Sequence, residues 1–217
     1  MLTTVLFDLD GTLTDSSVGI YKGVAKALAH FGIEETNEAN LARFIGPSLL
    51  DSFQRYYGFT EEQAKKAVAL YREYYIPKGV YENKPYDGVH EMLETLKSAG
   101  LTLCLATAKP EPLAEVVLHE FGLAKYFTHL VGSLYDGTRA EKVDVIAEVL
   151  RVTGVSPEEA VMVGDRRHDI EGAKANGLRS VGVLYGFGGR EELLDAGADF
   201  LAATPAEAAE ILLSLRR

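Results

Sequence analysis

Two carboxylates, Asp8 and Asp10, stand two residues apart where the apolar run Val5-Leu6-Phe7 gives way to Gly11-Thr12. If a short buried strand runs through them, side chains at i and i+2 point to the same side. Like charges that close repel, and a bound cation or a proton held on one of the pair relieves the repulsion. Either state suits chemistry in which one carboxylate attacks as nucleophile and the other works as acid and base. Asp and Gly also favour ordinary turns through their φ/ψ tolerance, so an acidic turn stays open on these residues alone.

Other reactive side chains follow later apolar runs. Thr107 and Lys109 come after residues 101–106, and Gly164-Asp165 with Asp169 come after 160–163. Lys142 opens a helical pattern between them. Each has a plain alternative, because a lone Thr at a strand end is commonly a helix cap and a lone Lys at a helix start is commonly solvated. Together they supply what phosphoryl transfer demands. Mg²⁺ takes hard oxygen ligands, typically one or two carboxylates plus water. The phosphoryl oxygens take a hydroxyl, backbone N–H groups and a cation.

The elements that must position these groups are legible as strand–helix alternation. Strands are expected at 4–9, 101–106, 160–163 and 180–184, with weaker candidates at 129–131 and 199–201. Helices are expected at 89–99, 112–121, 142–153, 170–176 and 205–215, several closed by Gly100, Gly122, Gly154 and Gly177. Ser156 and Thr204 each precede a proline and read as N-caps. The fold class is α/β, a Rossmann-like doubly wound parallel sheet, with ligands at the C-terminal ends of its strands.

Residues 15–84 break that rhythm with helical periodicity at 18–31, 38–44, 48–56 and 61–75. The expected organisation is a core of 1–14 and 85–217 with a helical cap of 15–84 on hinges, a candidate lid. Tyr71, Tyr74 and Tyr75 share a helical face. They read as packing with phenol oxygens at the surface, or as an aromatic wall over a substrate.

The bulk numbers narrow the partners. A net charge of −10 on 217 residues argues against a nucleic-acid polymer, which needs a basic face. It leaves room for a small phosphorylated metabolite met by a few local cations. The single Cys104 lies in an apolar run and reads as a core residue, which makes a reducing compartment the default. No signal peptide and no apolar stretch of ~20 residues is visible, so no membrane is expected. The expectation is a cytoplasmic protein, monomer or homodimer.

On the motifs Asp8-Leu-Asp-Gly-Thr-Leu-Thr-Asp15, Ala106-Thr107-Ala-Lys109-Pro110, Lys142 and Gly164-Asp165-Arg-Arg-His-Asp169, the chain resembles a phosphatase of the haloacid dehalogenase superfamily. It is similar to the subgroup with a helical cap inserted after the first motif. The resemblance implies that Asp8 attacks phosphorus and that Asp10 protonates the leaving oxygen and then activates water. It implies Mg²⁺ held by Asp8, the Asp10 carbonyl and Asp165, with Asp169 a ligand through water or an anchor behind the ligands. Thr107 and Lys142 would serve the phosphoryl group and the charge on Asp8. Gly11, Thr12, Ala108, Lys109 and Arg43 would bind substrate. Asp10 favours phosphate esters over carbon–halogen bonds, because a halide leaves without a proton. The cap lysine Lys22 leaves a phosphonatase-type role open by residue type, but Asp10 argues against it. Residues 134–139 and 182–188 resemble members described as 5′-nucleotidase-like, and phosphoglycolate phosphatases share the motifs. The alternatives are a phosphomutase of the beta-phosphoglucomutase type and a non-enzymatic phospho-acceptor receiver domain.

Overall fold

A computed structural model describes residues 1–216. The chain opens with β1 (Thr4–Phe7), every residue of which is buried. A tight turn leads to β2 (Thr14–Asp15), which pairs antiparallel with β3 (Lys84–Pro85). Between these two-residue strands all regular structure is helical: α1 (Ser17–His30), α2 (Glu38–Leu41), α3 (Leu49–Tyr57) and α4 (Glu61–Tyr75). Next come α5 (Val89–Ser98), β4 (Thr102–Pro110), α6 (Glu111–Glu120) and β5 (His129–Ser133). They are followed by α7 (Lys142–Thr153), β6 (Ala160–Gly164), α8 (Arg167–Ala175) and β7 (Arg179–Val183). The chain ends with α9 (Arg190–Ala196), β8 (Phe200–Ala202) and α10 (Pro205–Ser214).

Six strands form one parallel sheet in the order β5-β4-β1-β6-β7-β8. Alternation along the strands feeds two cores. Val5, Phe7, Leu103, Leu105, Val161 and Val163 meet α5, α6 and α10 on one face. Leu6, Cys104, Ala106 and Met162 meet α7 and α8 on the other. A large apolar side chain so buried contributes about 1.5–3 kcal/mol, and the two faces hold the strand ends rigidly in register. The chain leaves β1 in one direction through β4 and β5, then crosses to β6 on the other side. The crevice that results lies at the C-terminal ends of β1, β4 and β6, where an open parallel sheet binds ligands.

Several expectations shift by small amounts. β1 stops at Phe7, although the Asp8 N–H still donates to the Val163 carbonyl at 3.0 Å and Asp10 makes an isolated bridge to Thr14. β4 extends to Pro110, so Thr107 and Lys109 lie within it. Four steps along the chain from Ala106 to Pro110 match two from Val131 to Ser133, and the excess bulges the strand at the site. α8 starts at Arg167 rather than 170, which places His168 within the helix. α9 lies in a stretch without an expected helix. After Ser156 only a single 3-10 turn forms, and Ser156 bonds the Glu159 side chain instead of capping. Thr204 does cap α10, its hydroxyl accepting from the Glu207 N–H at 3.2 Å. Among the described residues no helix is long and apolar enough to cross a membrane.

The helical segment is tied together by close backbone approach. α1 packs on α4, and Gly19 of α1 passes against the turn at Gly79. A methyl group on Gly19 would overlap the Gly79 carbonyl oxygen. Gly19→Ala gains at most ~1 kcal/mol of helix propensity, but overpacking against backbone costs about 1–3 kcal/mol. The expected net effect is destabilisation, read as a lower urea midpoint with an unchanged slope.

Candidate active site

The strand ends converge on a cavity of about 530 Å³ between the sheet and the helical segment. Asp8, Asp10, Thr107, Ala108 and Lys109 line it from the sheet side; Phe44, Gly46–Leu50, Val68, Tyr71, Arg72 and Tyr75 line it from the helices. Beneath its floor Asp8, Asp165 and Asp169 form a buried cluster whose carboxylate oxygens lie within 4.8 Å of one another. Asp165 has no exposed surface and Asp169 only 1%.

One ammonium serves this cluster. Lys142 Nζ, at the first turn of α7, lies 2.6 Å from Asp8 Oδ1, 2.8 Å from Asp169 Oδ1 and 3.0 Å from the Ala106 carbonyl. Burial opposes its charge most strongly, yet Asp169 and Asp8 outweigh burial and hold its pKa above the ordinary range. Asp169 Oδ2 accepts from the Arg166 N–H, fixing the start of α8. Asp165 accepts from the Thr12 hydroxyl at 3.2 Å and from the Phe187 N–H at 2.8 Å. Burial, then the charges of Asp169 and Asp8, push the Asp165 carboxyl up to about 8. Burial likewise raises Asp8 to about 6, against the pull of Lys142.

The donor chemistry fits a hard divalent cation. Three buried carboxylates around one ammonium leave a surplus of two negative charges, and oxygen-only ligands are what Mg²⁺ takes. Glycines let the backbone close around the trio. Gly11 has φ +89°, and a Cβ there would overlap the Asp165 carboxylate.

Asp10 is held apart from the trio. Lys109 Nζ lies 2.8 and 3.0 Å from its two oxygens and 2.7 Å from the Tyr75 hydroxyl. Burial opposes the Lys109 charge most, but Asp10 and Tyr75 together raise its pKa. Lys109 is buried, and it lines the cavity with its ammonium held by Asp10 and Tyr75. Thr107 Oγ1 accepts from the Lys109 N–H at 3.2 Å, and among the described residues its own hydrogen meets no protein acceptor.

Some sequence-selected residues take other places. Thr12 spends its hydroxyl on Asp165, and the Gly11 and Thr12 N–H groups bond Thr14 and Leu9 carbonyls. Neither lines the cavity, so both brace the floor where substrate contact was expected. Arg43 is exposed, 5.6 Å over the Tyr56 ring, and also lies outside the cavity lining. Its loop does arrive, through Gly46, Pro47 and Ser48. Lys22 pairs with Glu82 at 2.7 Å and does not line the cavity. Tyr71 and Tyr75 are buried, against the expectation of phenol oxygens at the surface. Sequence reasoning missed Arg166, which bonds Glu192 at 2.9 Å and the Ile45 carbonyl of the helical segment. It also gave no role to the Phe187 N–H; the glycine-dense stretch 186–189 after β7 was the available signal.

At its strand ends the doubly wound sheet thus carries a buried carboxylate trio that could hold a metal ion, a lysine paired to it and a threonine. Residues 5–183 match the family described as haloacid dehalogenase-like hydrolase. A 5′-nucleotidase of Pseudomonas aeruginosa is 46% identical over 189 residues, 87% of this chain and 86% of that one. The tyrosine-protein kinase PtkA of Mycobacterium tuberculosis is 40% identical over 191 residues, 88% of this chain and 65% of that protein. The crystal structure of a predicted phosphatase from Clostridium acetobutylicum superposes with a TM-score of 0.97 at 43% identity, over 99% of both chains. The chain belongs to the haloacid dehalogenase-like hydrolases.

The two raised carboxyls set a pH dependence in chelator. Their folded pKa values, about 6 and about 8, exceed the ordinary 3.8. The native state therefore holds protons that the unfolded chain has lost, and stability falls as pH rises through those values. His168 works the other way below 6.5, since burial and then Arg167 lower its pKa. The decline is therefore cleanest from pH 6.5 to 8, where Asp165 supplies it with a slope up to ~1.4 kcal/mol per pH unit, Asp8 having given up its proton by then. Melting temperatures in EDTA are expected to fall over that range, to fall less in Asp165→Asn, and to flatten with Mg²⁺. A melting temperature that holds or rises would contradict this reading.

Proposed function

We propose that this protein is a Mg²⁺-dependent phosphomonoesterase that works through an aspartyl phosphate on Asp8. The observation that carries it is the split treatment of the two N-terminal carboxylates. Asp8 Oδ1 is fixed by Lys142, while among the described residues Oδ2 accepts no hydrogen bond and Asp8 lines the cavity. Asp10, two residues on, has a separate ammonium partner in Lys109. One carboxylate is thus oriented for attack and the other is kept for proton transfer.

Asp8, Asp165 and Asp169, with the Asp10 carbonyl, would hold the ion. When bound, Mg²⁺ neutralises charge on the phosphoryl oxygens and on the nucleophile. In the first step an Asp8 oxygen bonds phosphorus while the ester P–O bond breaks and Asp10 gives its proton to the leaving oxygen. In the second, Asp10 takes a proton from water, water oxygen bonds phosphorus, and the bond to Asp8 breaks. Thr107 donates its hydroxyl hydrogen to a phosphoryl oxygen, and Lys142 offsets charge on Asp8 throughout. Residues 15–84 serve as the cap that closes over these groups and excludes water.

The substrate is a small phosphorylated metabolite, and of phosphoglycolate and nucleoside 5′-monophosphates the cavity favours the latter. Its volume falls in the range of sites for whole small ligands. Beyond the polar floor its walls carry Phe44, Leu49, Leu50, Val68, Tyr71 and Tyr135. Arg72 of α4 stands 4.8 Å from the Tyr135 ring across the cavity. A two-carbon acid leaves most of that wall unused.

Phosphate release in Mg²⁺ is the test. Nucleoside 5′-monophosphates are expected to give a higher kcat/KM than phosphoglycolate. Asp8→Asn is expected to lower turnover at least ~1,000-fold, the scale of removing a covalent nucleophile, with an unchanged circular dichroism spectrum. Retained turnover in that variant would remove the nucleophile assignment.

A further inference from the structure

Tyr75 closes α4, far in sequence from every motif of the site, yet its phenol is in the site. The ring is 1% exposed, stacked on Tyr71 at 4.9 Å and 16°. A Cβ on Gly79 would come 2.8 Å from its Cδ2, so the absence of a side chain there makes room for the ring. Held this way, its oxygen accepts from Lys109 Nζ at 2.7 Å. An ammonium has three protons, and Lys109 directs them at the two Asp10 oxygens and at Tyr75. The arrangement is a chain from the helical segment, through a core lysine, to the carboxylate assigned to proton transfer. Packing alone would need the ring and not the hydroxyl.

We propose that Tyr75 is a positioning residue for Asp10, acting through Lys109, an inference that rests on the phosphomonoesterase reading above. The phenol oxygen fixes Lys109 Nζ, and the ammonium fixes the plane of the Asp10 carboxyl. Proton transfer to the leaving oxygen is aligned only while α4 lies over the sheet. An arriving phosphoryl oxygen competes for one Lys109 proton. Asp10 then gives up one of its two bonds to the ammonium, and the freed oxygen faces the leaving group. Tyr75 keeps its bond and stops the lysine from following the substrate out of line. The proton that reaches the leaving oxygen is that of Asp10, the bond to Asp8 forms, the ester bond breaks, and Tyr75 is unchanged at the end.

A leaving-group comparison tests this. p-Nitrophenolate departs as a stable anion and needs little proton donation, whereas the alkoxide of benzyl phosphate needs it fully. The constant kcat/KM reports the first transfer for both esters, so their ratio cancels any change in phosphate binding. Tyr75→Phe keeps the ring and its stacking. It is expected to lower kcat/KM about tenfold for benzyl phosphate and less than about twofold for p-nitrophenyl phosphate, a fraction of the ~100-fold or more that an acid contributes. Lys109→Gln is expected to show the same asymmetry, and adding Tyr75→Phe to it is expected to change the ratio no further. An equal fall on both esters, or Tyr75→Phe matching the wild type on both, overturns this inference alone. A wild-type protein that hydrolyses neither ester overturns the phosphomonoesterase reading and this inference with it.

Discussion

Three carboxylates buried within 4.8 Å of one another share a single ammonium, and the rest of the structure answers to that imbalance. Unpaired charge in a low-dielectric interior is costly, and stripping one partner from a buried pair costs about 3–5 kcal/mol. Lys142 bridges Asp8 and Asp169, so Asp165 is left with only a hydroxyl and an N–H. Its carboxyl is accordingly the one pushed furthest up. A divalent cation would close the balance, and the carboxylates that would hold it already sit on strand ends and helix starts.

Topology explains how such a cluster is assembled. β1, β4 and β6 are neighbours at the point where the chain changes direction through the sheet, so residues separated by more than 150 positions meet. The bulge in β4 brings Thr107 and Lys109 to the cavity while the strand continues to Pro110. The helices between β2 and β3 then contribute what the sheet cannot. Tyr75 reaches Lys109, and the Ile45 carbonyl meets Arg166 beside Asp165. The same helices thus supply both the Tyr75 contact to Lys109 and much of the cavity wall.

The membership of the candidate site was largely legible because its residues sit in short motifs tied to strand ends. Asp8, Asp10, Thr107, Lys142, Asp165 and Asp169 all converge within one site. The sheet was legible because fully buried parallel strands are continuous apolar runs. What stayed hidden depends on direction and reach. That Thr12 turns down to Asp165, and that Arg43 turns away to Tyr56, follows from loop geometry that residue type does not encode. Tyr75 reads as one member of an apolar helical stripe; only the three-dimensional path of α4 aims its hydroxyl at Lys109. α9 is short and mostly exposed, so it carries little of the periodicity that marks a core helix.

The balance of charge in the buried trio is open to direct measurement by titration calorimetry of Mg²⁺ at pH 7 in two buffers of different ionisation enthalpy. Metal that replaces the proton on Asp165 should release about one proton per ion bound, and Asp165→Asn should abolish that release. Binding with no proton release, or no Mg²⁺ binding in the wild-type protein, would contradict the charge-balance origin of the site.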